Sequence, residues 1–372
     1  MMRILQIGMT DNLGGIETFV MNYYRNINKN KIQFDFINIY RNKLYFQEEI
    51  ENMGGKVYKL TSYYKRPIKY IKELIKIINE NNYEIIHCNM NSAAMIFPLI
   101  AGKISNAKIV ISHAHNSSSD KGFLKKILHN INKHFIPLFA NVFFACSDNA
   151  GKWFFSKKVL KSKKYEIIYN AIDIQKFEYN EKIRIEKRKE FGIDKNTIVI
   201  GHVGRFEKQK NHRYLIDIFN EIHKKNKNTM LLLIGHGTLK QEIENKVDMM
   251  NLSDKVIFLE KRNDVEKLYQ IMDIFVFPSL YEGLGTVLIE AQYSGLPCAV
   301  SAEIPKEAQI TKKFKYIELN NINKWKNTIL DFINNEVNER KKIILNDDFK
   351  KFDIKVASLE LEKKYFNILE KK

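Results

Sequence analysis

Two carboxylates, Glu282 and Glu290, stand with seven residues between them in the stretch Ile274 to Pro297, which reads IFVFPSLYEGLGTVLIEAQYSGLP. Ile274 to Phe277 are β-branched and aromatic, the pattern of a buried strand, and Pro278 and Ser279 stop it. A loop with Gly283, Leu284 and Gly285 follows. Thr286 to Ser294 then has a helical pattern, closed by Gly295 and Pro297. Strand, glycine loop and helix turn the backbone N–H groups of a helix N-terminus toward an anion, and phosphate is the usual one. A carboxylate beside a phosphate is a poor ligand for it. It is well suited to accept hydrogen bonds from the hydroxyls of a ribose or a hexose.

The elements around this stretch alternate between strand and helix, the sign of parallel α/β units. Strands are expected near 3–9, 34–40, 56–60, 84–89, 108–113, 142–146 and 166–169, with helices over 15–28, 44–53, 67–81, 92–104, 121–139 and 148–156. That makes a doubly wound domain over 1–173, ending at Asn170-Ala171-Ile172-Asp173. Residues 174–195 are densely charged and read as a linker leading into a short helix. Strands resume at 197–203, 229–234, 255–259, 274–277, 297–301 and 315–319, a second such domain over 174–348. A final helical stretch covers 349–372.

Other candidates fall on loops after strands. In a parallel sheet, ligands bind beyond the carboxyl ends of strands, where Ser112-His113-Ala114-His115-Asn116 lies. No Asp, Glu or Cys nearby completes a metal set with His113 and His115, so no metal is expected. Gly14-Gly15-Ile16-Glu17 follows the first strand without a G-x-G-x-x-G fingerprint. Either it is a tight turn with Glu17 in the first helical turn, or Gly15 lets backbone approach a ligand. Arg262 follows a strand, where a nucleotide base can stack.

The net charge is +18, and residues 1–170 carry 25 Lys and Arg against 12 Asp and Glu, so the excess lies in the first half. Three readings compete: solvated lysines from composition bias, an anionic membrane surface, or nucleic acid. No zinc finger, helix-turn-helix or RNP motif accompanies the charge, so nucleic acid is not expected. Phe123, Leu124, Ile127, Leu128, Ile131 and Phe135 recur at helical spacing beside Lys125, Lys126 and Lys133. Such a helix either lies on an anionic membrane or packs its apolar face on the sheet. Three distant cysteines, Cys88, Cys146 and Cys298, suit a reducing cytoplasm. No window approaches 18 apolar residues, so a spanning helix is not expected.

Glu282 to Glu290, with the run EAQYSGLPCAVS, resembles the E-x7-E signature of retaining glycosyltransferases of family 4. That resemblance implies the GT-B architecture, two Rossmann-like domains facing across a cleft, with the C-terminal helix crossing back to the first domain. Gly204-Arg205, followed by Lys210, is similar to the family's GR-x4-K element, which implies that Arg205 and Lys210 bring two positive charges to a diphosphate. Either His113 or His115 matches a histidine that contacts the transferred sugar. Gly15 matches a glycine pair lining the cleft near the donor phosphates. Gly235-His236-Gly237 matches a G-x-G turn that commonly has Asp or Glu in its middle, so His236 departs from the pattern.

The resemblance implies a retaining transfer of a hexose from a nucleotide sugar, UDP-linked, to a lipid-linked oligosaccharide of a capsule or exopolysaccharide. Glu290 would hold the ribose, Glu282 and a histidine the sugar hydroxyls, and Gly283, Leu284, Gly285 and Thr286 the phosphates. No metal or other cofactor is expected, because two basic side chains stand at the leaving group. The expected location is the cytoplasmic face of the membrane. Rival readings are a UDP-sugar 2-epimerase of similar architecture and a non-catalytic partner that binds a nucleotide sugar.

Overall fold

The computed structural model describes residues 1–117, 122–337, 340 and 347–371. The chain divides into two compact units, Met1–Ala171 with Lys351–Lys372, and Ile172–Lys350.

The first unit is built on strands β1 (Met2–Ile7), β2 (Ile32–Asn38), β3 (Val57–Lys59), β4 (Ile85–Met90), β5 (Ile109–Ala114), β6 (Val142–Ala145) and β7 (Tyr165–Ile167). All pair in parallel, in the order β3-β2-β1-β4-β5-β6-β7. Side chains alternate across a strand, so neighbours such as Ile4 and Leu5, or Ile85 and Ile86, enter opposite core layers. Helix Pro67–Glu80 covers one face through Tyr70, Leu74 and Ile78. On the other face, helix Ile354–Glu370 contributes Ile354, Ala357, Leu361 and Tyr365. The C-terminal helix is therefore part of the first unit.

The second unit carries β8 (Ile198–Val203), β9 (Thr229–Ile234), β10 (Val256–Leu259), β11 (Ile274–Phe277), β12 (Cys298–Ser301) and β13 (Phe314–Ile317). They too are parallel, in the order β10-β9-β8-β11-β12-β13. The winding reverses between β8 and β11, and a crevice opens where loops leave two neighbouring strands in opposite directions.

Two segments differ from the sequence expectation. The charged stretch 174–195, expected as a linker leading into a short helix rather than core, has that helix, but the helix enters the core through Arg188. The stretch holds a 3-10 turn, Ile174–Phe177, and a helix, Glu181–Glu190. Buried Asp273 draws this helix in: Arg184 Nη2 donates to Asp273 Oδ1 at 2.5 Å and Arg188 Nη2 to Oδ2 at 2.6 Å. A charge taken out of water must find such partners.

The helix expected over 121–139 is two helices, Phe123–Asn132 and Ile136–Phe139, with a proline opening the second; residue 121 lies outside the described residues. Of the two alternatives for its apolar face, packing on the sheet is not the one the fold takes. Phe123, Leu124, Leu128 and Ile131 are exposed, at 79, 74, 43 and 50%. His129 and Asn132 face inward, while Lys125 and Lys126 are exposed. His129 is buried, and Asn132 Nδ2 donates to Ala93 O at 3.0 Å. Directional hydrogen bonds, rather than apolar burial, fix which way this helix faces.

Candidate functional site

In the second unit the candidates gather where β8 and β11 end. Gly204 to Asn211 leaves β8, and Pro278 to Gly285 leaves β11. The loops are stitched together: Leu280 N donates to Gln209 O at 2.8 Å, Gln209 Nε2 to Tyr281 O at 2.9 Å and Asn211 Nδ2 to Pro278 O at 3.2 Å. Asn211 takes the left-handed conformation, φ 55°, which turns the chain from the 3-10 turn Lys208–Lys210 into helix His212–Lys225.

This stitching brings Lys210 Nζ to 2.6 Å from Glu282 Oε1. Both side chains are largely buried, and the ammonium also lies 4.7 Å over the Phe277 ring. The Arg205 side chain is exposed, and among the described residues its guanidinium makes no hydrogen bond or ion pair. One cation of the pair is thus held in place while the other is available to an incoming anion.

Gly235 supports this loop. A Cβ on it would lie 2.1 Å from Gly204 O, and one on Gly237 would lie 2.5 Å from Phe206 O. The G-x-G turn therefore lets backbone pass directly against the Arg205 loop. The contact needs no side chain between the glycines, which accounts for the tolerance of His236.

Leu284 is buried and anchors the turn, so only its backbone can meet a ligand. Gly285 has φ 79° and opens helix Thr286–Tyr293. Glu290 Oε2 lies 2.8 Å from the Tyr269 hydroxyl, and burial pushes the Glu290 carboxyl up to about 7. Arg262 stands apart from this group. It follows β10, at the sheet edge, and binds Asp264 through two bonds of 2.8 Å.

The first unit holds the other candidates. Gly14 and Gly15 open helix Gly15–Asn26, and a Cβ on Gly15 would meet open space. Glu17 is buried and accepts the Thr10 N–H at 2.8 Å, so it ties the loop after β1. The two histidines stay in contact, with ring centroids 4.1 Å apart, but differ in exposure. His113 is fully buried, its Nδ1 3.0 Å from His87 Nε2, and His87 Nδ1 is 2.7 Å from the Tyr365 hydroxyl. His115 is partly exposed, with Nε2 2.9 Å from Asn89 Oδ1. Burial holds both imidazoles neutral, His115 down to about 3.

Sequence reasoning missed His202 and His212, which are buried beneath the Lys210 loop. The signal was present: a histidine interrupts the apolar strand IVIGHV two residues before Gly204.

Residues 13–176 match the model for Glycosyltransferase Family 4, and residues 183–348 match the model for Glycosyl transferases group 1. The chain is 32% identical over 309 residues to EpsF of Bacillus subtilis (strain 168), named as a candidate glycosyltransferase, covering 82% of this chain and 80% of EpsF. It is 27% identical over 281 residues to the UDP-Gal:alpha-D-GlcNAc-diphosphoundecaprenol alpha-1,3-galactosyltransferase of Escherichia coli, covering 73 and 72%. Its fold is similar to that of Anabaena Alr3699/HepE, solved with UDP and glucose, with a TM-score of 0.79 at 18% identity, covering 98% of this chain and 100% of that one. With two parallel-sheet Rossmann-like units of the GT-B kind and matches over both, the chain belongs to the family 4 (group 1) glycosyltransferases.

Proposed function

We propose that this glycosyltransferase moves a hexose, with retention of configuration, from a UDP-linked donor to a lipid-linked oligosaccharide in polysaccharide synthesis. The observation that carries the reading is the cation pair at the β8/β11 reversal, Lys210 held on Glu282 and Arg205 free beside it. The activity for which the Escherichia coli relative is named supports the donor and acceptor classes.

In this reading the bond from the anomeric carbon to the phosphate oxygen breaks while the acceptor oxygen bonds on the same face. The leaving phosphate takes the acceptor's proton. Negative charge grows on that phosphate, and Arg205, Lys210 and the helix N-terminus at Gly285-Thr286 stabilise it. When the diphosphate engages Lys210, Glu282 is released toward a sugar hydroxyl. Glu290 accepts from the ribose. Of the first unit's two candidate histidines, His115 is the one open to a sugar, because His113 is fully buried against His87 and Phe144.

The protein works at an anionic membrane face, through the outward apolar side of Phe123–Asn132 and its lysines. No helix among the described residues is long and apolar enough to cross a membrane.

The test incubates the protein with a panel of nucleotide sugars and a lipid-linked acceptor. Arg205→Ala and Lys210→Ala should each lower turnover about a hundredfold or more. Activity should survive EDTA. Near-normal rates in both variants, or loss in EDTA restored by Mn²⁺, would sink this mechanism. Interconversion of the sugar without acceptor would favour the epimerase instead.

A further inference from the structure

Beneath the Lys210 loop, two imidazoles lie in a place where an apolar side chain would be cheaper. His202 is fully buried, and its Nδ1 is 2.8 Å from Val276 O. A carbonyl only accepts, so Nδ1 carries the proton and Nε2 presents a lone pair. Among the described residues, that Nε2 has no partner, and neither does either nitrogen of His212, which is also buried. His212 stacks on Phe206 with ring centroids 4.2 Å apart and stands edge-on to His202 at 4.7 Å.

Three orphaned nitrogens in one buried pair are costly, since a buried polar group without a hydrogen bond loses its water and gains nothing. They point at the loop already described. A Cβ on Gly204 would lie 2.9 Å from His202 Nε2 and 3.2 Å from the Lys210 Cγ and Cδ atoms. The free lone pair, the first loop glycine and the Lys210 stem therefore converge on one spot.

We infer that His202 and His212 form a proton-accepting floor to the diphosphate site, taking up one proton from solvent when a nucleoside diphosphate occupies the Gly204–Lys210 loop. The inference rests on the donor-site reading given above. The proton bonds to one of the orphaned nitrogens and creates an imidazolium. It turns one lone pair into an N–H donor beneath the phosphates. It also sets a further positive charge under the phosphates.

In the empty site the surroundings oppose protonation. Burial pushes His202 down to about 3 and His212 to about 2, and the Lys210 ammonium pushes each the same way. Arg205, on the same loop, and the N-terminal end of helix His212–Lys225 add positive potential. Glu282, bonded to Lys210, is the nearby negative group. The other neighbours of His202, Phe275 and Phe277, are apolar. A bound diphosphate neutralises the cations and reverses the sign of the field.

The experiment observes imidazole nitrogens directly, because Glu290 also titrates near neutrality and would complicate an affinity profile. Full-length protein with ¹⁵N-labelled histidine is examined at pH 6 with and without UDP. His202→Asn, which keeps a donor for Val276 O, and His212→Phe, which keeps the stack on Phe206, assign the signals. The expected result is a neutral pair in the free protein and one protonated imidazole in the UDP complex. Calorimetry in buffers of different ionisation enthalpy should find about one more proton taken up per UDP by wild type than by the variant carrying both His202→Asn and His212→Phe, with the proton of UDP itself cancelling. UDP binding with both imidazoles still neutral overturns the inference and leaves the donor reading standing. Failure of UDP to bind at all overturns both.

Discussion

Helices Pro67–Glu80 and Phe123–Asn132 are equally amphipathic, yet the fold uses them in opposite ways. The first buries Tyr70, Leu74 and Ile78 completely. The second turns its apolar stripe outward and buries only His129. There His129 Nδ1 accepts from Ala93 N at 3.1 Å and Nε2 donates to Trp153 O at 3.1 Å, while the ring stacks on Trp153 at 4.0 Å. The exposed Phe123, Leu124, Leu128 and Ile131 form an apolar stripe open to water. Amphipathicity says that a helix lies at a boundary. It does not say which boundary.

The largest test of the contrast is stability. Leu74→Ala should cost about 2–5 kcal/mol, the range for a leucine removed from a packed core. Leu124→Ala should move stability by no more than about 0.5 kcal/mol. Denaturant midpoints measure both, and equal losses would mean that the second helix is covered.

Membrane binding comes next. Changing Lys125, Lys126 and Lys133 together to Glu should remove about 3 kcal/mol of attraction to anionic vesicles, at about 1 kcal/mol per basic residue. Co-sedimentation should fall by about a hundredfold in affinity. Equal binding of wild type to neutral vesicles would remove charge from the account, and no binding to anionic ones would remove the membrane.

His129→Ala should loosen the second helix by about 1–3 kcal/mol, because the Ala93 N–H and Trp153 O lose their partner. Faster hydrogen exchange confined to 123–132 would support this; unchanged exchange would mean that another contact holds the helix.

The smallest effect is a pH dependence. Burial pushes the His129 pKa below its ordinary value, Trp153 O pulls it back up and Lys133 lowers it. A histidine with a depressed folded pKa contributes stability above its unfolded value of about 6.5 and loses it as pH falls. Docking of the second helix should therefore weaken below about pH 6.5, while Pro67–Glu80 stays unaffected. Exchange rates at two pH values, corrected for intrinsic chemistry, distinguish the outcomes.

Legibility in the sequence varied with how local the cause was. Strand positions such as 229–234 and 274–277 were read correctly because β-branched and aromatic runs bounded by turn residues are local signals. The helix expected at 92–104 begins at Phe97, since Pro98 sits in its first turn. The short helix in the charged run 181–190 was expected, but the burial of Arg188 was not, because its partner, Asp273, lies more than eighty residues away. Glu282 and Lys210 were both named from motifs, but their 2.6 Å bond depends on loops leaving two adjacent strands.

Taken alone, the sequence determined the alternation of strand and helix, the two parallel sheets and the identity of the charged and glycine residues at the strand ends. These follow from side-chain periodicity and backbone preferences, which act over a few residues. Tertiary structure alone decided that His129 rather than Leu124 faces inward, that His113 is enclosed while His115 is partly exposed, and that two imidazoles lie under Lys210. Burial and hydrogen-bond satisfaction depend on neighbours distant in the chain, and no local pattern encodes which of two faces will find them.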